Sequence, residues 1–142
     1  MGGGGIAMSA VLHGALVAAL KDHAPLHARL TAVFAAPPVR SAMPYALVTE
    51  SVVADWSTKD QPGIEARVAI ELHDGGEVPG RLRALAEAAG AALAAMPRDL
   101  GQGWRVASLV PVRTRVVRVR AGDWVAVVEA RVRMLREGGS PP

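Results

Sequence analysis

The 142-residue sequence has no cysteine. Disulfides, thiolate metal sites, iron–sulfur clusters and cysteine nucleophiles are therefore excluded, and the fold must rest on packing alone. Aromatic residues are sparse, with one Phe, one Tyr and three Trp, too few to supply stacking platforms for single-stranded nucleic acid. Lysine is nearly missing as well, since Lys21 and Lys59 stand beside fourteen arginines. The longest apolar stretch, Val11 to Leu20, is interrupted by His13 and Gly14 and falls far short of the roughly 20 residues a membrane helix requires. No basic group precedes it, so the charged start of a secretory signal is missing. Ile6 occupies the position where a myristoylation signal needs Ser or Thr. Neither a membrane partner nor export is expected.

What is present is globular: 51% hydrophobic and 20% charged residues, enough chain for one core. A single domain is expected over 9–136, with flexible segments at 1–8 and 137–142 and with Met8 as an alternative start. Charge is unevenly placed. Residues 1–97 carry 7 basic and 9 acidic groups, whereas 98–136 carry 9 arginines against Asp99, Asp123 and Glu129. Such asymmetry suits an anionic partner or the complementary surface of a neighbouring subunit.

Ser9 is placed to cap a helix running to about His23, with Val11, Leu12, Ala15, Leu16, Ala19 and Leu20 on one apolar face. Pro25 suits the first turn of a short second helix, Leu26 to Thr31, and Pro37-Pro38 ends it in an extended linker. YALVTESVVADW from Tyr45 has strand composition and leads to a mobile loop, Ser57 to Gly63. Ala66, Val68, Ile70 and Leu72 alternate with polar residues, as in a half-buried strand paired antiparallel with the first. Leu82, Leu85, Ala86, Ala89, Leu93 and Met96 have helical spacing, stopped by Pro97. Valine-rich segments follow from Trp104 to Arg120, where the alternation changes phase at Val116-Val117, as a bulge or turn would cause, so that two short strands or one kinked strand both fit. Trp124, Ala126, Val128, Ala130, Val132 and Met134 line one face of a final strand. The order predicts an α+β fold: a mostly antiparallel sheet of about four or five strands with two main helices packed on one face.

Constellations with chemistry are weak. His23 and His27 have metal-ligand spacing, but Pro25 lies between them and starts a new helix, and no nearby carboxylate completes a set. His13 and His73 are isolated in sequence. Ser57, His73 and Asp55 match no nucleophile elbow. The tetraglycine lacks a following Gly-Lys-Ser/Thr, and Gly101-Gln102-Gly103 leads into a strand, so neither is a phosphate cradle. No catalytic, cofactor-binding or metal residue is assigned, and no enzyme is expected. The basic set is better populated: Arg113 and Arg115 alternate on one edge, Arg118 and Arg120 lie beyond the phase change, and Arg131 and Arg133 share a face of the last strand. These suit nucleic-acid phosphates, a subunit contact, or simply the solvent side of a sheet. Val117, Val119, Val125, Val127 and Leu135 add apolar groups there, as an oligomer interface would.

From Met8 onward the chain resembles the small tail-completion or tail-terminator proteins of long-tailed phages and phage-derived gene transfer agents. The likeness covers residues 8–136. It is carried by MSAVLHGALVAALKDHAPLHARL as opening helices, MPYALVTES with Pro44-Tyr45, the Asp55-Trp56 loop in DWSTKD, GIEARVAIELHD, the helix GRLRALAEAAGAAL and the closing strand DWVAVVEARVRML. One departure is Leu72-His73, where the family often has an aromatic. The resemblance implies a structural protein without a reaction: a homo-hexameric ring that caps the tail tube, ends its polymerisation and joins the tail to a head-side connector. Its partners would be further copies of itself, the tail-tube protein and the connector, with DNA passing through the lumen. It would sit at the tube–connector junction of a particle assembled in a bacterial cytoplasm. Expected subunit or partner contacts are Asp55, Trp56, Ser57, Thr58, Lys59, Asp60, Arg113, Arg115, Arg118, Arg120, Arg131 and Arg133. Alternatives are a head-side neck protein and a basic nucleic-acid-binding module.

Overall fold

Leu12, Leu16 and Leu20 recur every fourth residue of a helix and are fully buried, because an i, i+4 spacing puts all three on one face. That helix is α1 (Gly3–Asp22) in a computed structural model that describes residues 3–136, with side chains from Ala10 onward. It is followed by α2 (Ala24–His27), β1 (Ala32–Phe34), β2 (Tyr45–Asp55), β3 (Gly63–Gly75), α3 (Gly80–Ala94), β4 (Asp99–Gly101), β5 (Trp104–Arg120) and β6 (Asp123–Arg136). The strands form one sheet in the order β1-β2-β3-β6-β5-β4. Every pairing is antiparallel except β1 with β2.

The helices cover one face. Ala66, Val68, Ile70 and Leu72 of β3 and Ala126, Val128, Ala130, Val132 and Met134 of β6 meet Leu82, Leu85, Ala89 and Leu93 of α3 in a single core. These are the positions that alternation and helical spacing single out. The sheet is curled into a half-barrel, and α1 touches both β1 and β4, the strands at its two opposite ends. α1, 20 residues and about 30 Å long, therefore spans the helix-covered face from one end of the sheet to the other. Among the described residues no helix is long and apolar enough to cross a membrane.

At one end of the sheet Asp74, only 4% exposed, accepts hydrogen bonds from Gly75 N (2.9 Å), Arg81 Nε (2.7 Å) and Arg81 Nη2 (2.5 Å). This bidentate pair ties the end of β3 to the first turn of α3. Hydrogen bonding to Asp74, and then its negative charge, raises the Arg81 guanidinium above its ordinary value. At the other end Gly63 opens β3 against the chain. A Cβ there would lie 2.6 Å from Trp56 O and 2.8 Å from both Met134 O and Leu135 Cδ2. Two of these atoms are backbone, so Gly63→Ala is expected to cost about 1–3 kcal/mol as an overpacking change, measurable as a lowered urea midpoint.

Several expectations need correction. The sheet has six strands among the described residues, because the short pieces β1 and β4 extend it at both ends. β1 falls just before the expected linker, and Thr31 N donates to Pro44 O at 2.8 Å, beside the parallel β1–β2 pairing. The helix packing also differs, since three helices fill a curled sheet in place of two lying on one layer. α1 runs from Gly3 to Asp22, which puts Ser9 inside the helix and not at its cap, although each glycine at its start disfavours helix by about 1 kcal/mol. The second helix is Ala24–His27 and not Leu26 to Thr31. β5 is one strand, with register shifts between Val106/Ser108, Pro111/Arg113 and Arg118/Arg120 but none at Val116-Val117. The change there is in residue type. The segment 137–142 lies outside the described residues.

Candidate assembly surface

The expected contact residues separate into two places. Asp55 to Asp60 form the β2–β3 turn, and this turn is tied down, contrary to the mobile loop expected. Asp55 Oδ1 accepts from Ser57 Oγ (2.6 Å) and Ser57 N (3.0 Å), and Ser57 Oγ accepts from Gly63 N (2.9 Å). Trp56 N donates to Gly63 O (3.0 Å), Thr58 N to Gln61 O (2.8 Å), and Arg136 N to Pro62 O (2.8 Å). An aspartate closing on the residue two positions on is an Asx turn. Lys59 and Asp60 remain exposed at its tip.

The Ser57 hydroxyl, and then the Ser57 amide, hold the Asp55 carboxyl below its ordinary value. A carboxyl depressed by the fold stabilises the turn above its unfolded-state value and loses that contribution as pH falls through its folded value. Asp55→Ala is therefore expected to speed amide exchange at Ser57 and Gly63 at neutral pH, and acidification well below the usual carboxylate range to do the same in the native chain. Exchange unaltered by either change would show that the carboxylate does not hold the turn.

The second place is the sheet face turned away from the helices. Cross-strand register puts Arg113, Arg115 and Val117 of β5 opposite Glu129, Val127 and Val125 of β6, and Arg131 of β6 opposite Arg67 of β3. Arg113 Nε pairs with Glu129 (3.1 Å) and Arg133 Nε with Glu65 (2.9 Å). Arg133 also lies over the Trp56 ring, 5.3 Å from its centroid, which links this face to the β2–β3 turn. Arg131 Nε is buried with no hydrogen-bond partner among the described residues. Arg118 is on the other side: it pairs with Trp124 in the same register that buries Ala126, and its guanidinium stands 5.8 Å from the Trp124 ring centroid. Arg120 is held by Asp123 at 3.1 Å. The structure thus joins Arg133 to the turn and gathers Arg113, Arg115 and Arg131 on one face, but does not add Arg118 to them.

The histidines are not isolated in space. His13 Nδ1 contacts Glu50, and His73 Nε2 lies 3.0 Å from Glu71 while its ring stacks on Tyr45 at 4.6 Å. Glu50 is 37 residues from His13 and Tyr45 lies on the strand paired with that of His73, so spacing alone could not reveal these two partners, whereas Glu71 is two residues from His73 on the same strand. His23 is the N-cap residue of α2 and His27 lies within it. No group of three or more potential ligands gathers among the described residues. A cleft between α1 and α3 is lined mainly by alanines with Met96, Asp22, His23 and Asp99.

Sequence reasoning missed the sheet edges. β1 pairs only with Tyr45–Leu47, and β4 only reaches Trp104 and Arg105, with Arg98 O taking the Val106 amide. Beyond these, no described strand lies against the outer edge of β2 from Val48 to Asp55 or of β5 from Ala107 to Arg120. Valines on both faces of these stretches were the available signal: Val52 (46% exposed), Val53, Val110, Val112, Val117 and Val119 (56%) are open to solvent.

Comparison with known proteins gives the class of this half-barrel chain as a structural component of phage-type tails. The family model of tail completion protein gp17 matches residues 14–135, and the chain belongs to that family. Among solved structures, a chain of "Virion of native gene transfer agent (GTA) particle" is similar at 26% identity and a TM-score of 0.67, covering 87% of this chain and 94% of that one. No curated protein matches the sequence.

Proposed function

We propose that the protein forms a ring, expected to be hexameric, which caps the tail tube, ends its polymerisation and joins it to the head-side connector. The similarity to a virion chain over nearly the full length of both proteins carries this reading. It is supported by the surface chemistry. A head-to-tail ring needs two unlike, complementary patches on each subunit, and the acidic turn and the arginine-rich β5 are unlike and at different edges of the sheet. The particle is the site of action, and DNA passing between head and tail crosses the ring's lumen. The turn tip at Lys59 and Asp60 is the segment offered to the tube or connector.

Deletion of the gene from the producing cell, followed by electron microscopy of the particles, tests this. Unjoined heads and tubes of uncontrolled length are expected, restored to normal by the intact gene. Joined particles of normal tail length in the deletion would overturn the proposal.

A further inference from the structure

We infer that the ring is closed by strand pairing: the open edge of β2 in one copy pairs antiparallel with the open edge of β5 in the next, making one continuous sheet. The inference rests on the ring proposed above and specifies its subunit junction.

Both edges present backbone N–H and C=O groups without a strand partner among the described residues, and such groups template the addition of another strand. Six valines exposed along these two stretches, Val52 and Val53 on one and Val110, Val112, Val117 and Val119 on the other, would leave water at the junction. The edges belong to opposite sides of one sheet, so a single copy cannot satisfy them. Direction also agrees. β2, β3, β6 and β5 alternate in direction, so β2 and β5 run oppositely, and rotation about a ring axis along the strands preserves each direction. The next copy's β2 therefore meets β5 antiparallel, as in the rest of the ladder.

Charge selects this pairing over its rivals. β5 carries Arg113, Arg115, Arg118 and Arg120 and no acidic residue, while β2 carries no basic one, its acids Glu50 and Asp55 being engaged by His13 and Ser57. Among the described residues Arg115 has no acidic partner. Two β5 edges would set arginines against arginines, which disfavours a two-fold dimer. The register shifts at Val52/Ala54, Pro111/Arg113 and Arg118/Arg120 confine regular ladder to Val48–Val52 and Arg113–Arg118, and short, bulged edges resist unlimited aggregation.

The absence of cysteine makes the test clean. Ser51, opposite Arg67, lies on the outer face, as do Val110, Arg113, Arg115 and Val117, while Thr114 and Val116 lie on the helix face. Protein carrying Ser51→Cys is mixed with protein carrying one cysteine at each of these β5 positions, in the presence of the tail-tube protein, and oxidised. Circular dichroism confirms each fold, and light scattering gives the mass before oxidation. The expected result is a ring mass and a covalent pair that forms at an outer-face position at least roughly tenfold better than at its helix-face neighbours, because a disulfide cannot bridge Cβ atoms that point apart and successive strand residues point to opposite faces. A ring mass with no cross-link, or with cross-links that ignore the alternation, overturns strand pairing and leaves the ring standing. A monomer mass with the tube present overturns the ring and the pairing together.

Discussion

Reversing Arg115 and Arg118 together, as Arg115→Glu with Arg118→Glu, is expected to leave the fold intact and to abolish head–tail joining. Both side chains lie on the exposed half of β5, and neither has an acidic partner among the described residues. Exposed substitutions of this kind change folding stability by less than about 0.5 kcal/mol. At a subunit junction the same changes place two acids where the neighbour is acidic. At about 2 kcal/mol for each charge lost from an interface, association weakens by roughly a thousandfold. Particle counts by electron microscopy, beside thermal melts of the purified variant, measure both halves. Normal joining by a folded double variant would remove β5 from the assembly surface.

The largest expected loss of stability comes from Ile70→Ala. Ile70 is fully buried in β3, opposite Val48 on one side and Val128 on the other, under the helices. Removing such a side chain costs about 2–5 kcal/mol, because the hole collapses only partly, out of a total that is typically about 5–15 kcal/mol. A fall in melting temperature on the order of 10 °C follows for a domain of this size. Val119→Ala removes a valine that is 56% exposed and is expected to change stability by less than about 0.5 kcal/mol. Similar losses at the two positions would contradict the placement of the core.

The core was legible because its elements are long enough to show a period. α1, α3, β3 and β6 each present buried residues at the spacing of a helix or a strand, and of the residues expected there all are buried except Val11, Ala15, Ala19 and Trp124, which are partly buried against the core. β1 and β4 were hidden for the opposite reason: three residues carry no period, and both strands exist only through their neighbours. β5 misled because Val-Val between Arg115 and Arg118 exchanges the faces of apolar and charged residues while the backbone continues. A strand that is solvated on both faces in its outer half imposes no alternation, so residue type there does not report backbone geometry. At the β2–β3 turn the signal was present and local. Asp55 two residues before Ser57 is an Asx-turn pattern, and reading it would have replaced mobility with a closed turn.

The candidate contact surface was legible as charge and not as geometry. Arginines concentrated after residue 98 are plain in the sequence, but which of them share a face depends on three register shifts along β5. The pairings Arg113–Glu129 and Arg133–Glu65 join residues on different strands, and Arg133 reaches the Asp55 turn only because β6 runs antiparallel to β3. The open edges of β2 and β5 are properties of the sheet order, which periodicity does not determine. The likeness to tail-completion proteins is carried by the order of the elements along the chain, which depends on none of this geometry.

The solution mass of the purified protein, measured by light scattering with and without its tail-tube protein, decides whether this is a ring-forming tail-completion protein. A closed oligomer, either alone or only once tube ends are supplied, is the predicted result. A monomer whose mass is the same with and without the tube would contradict it.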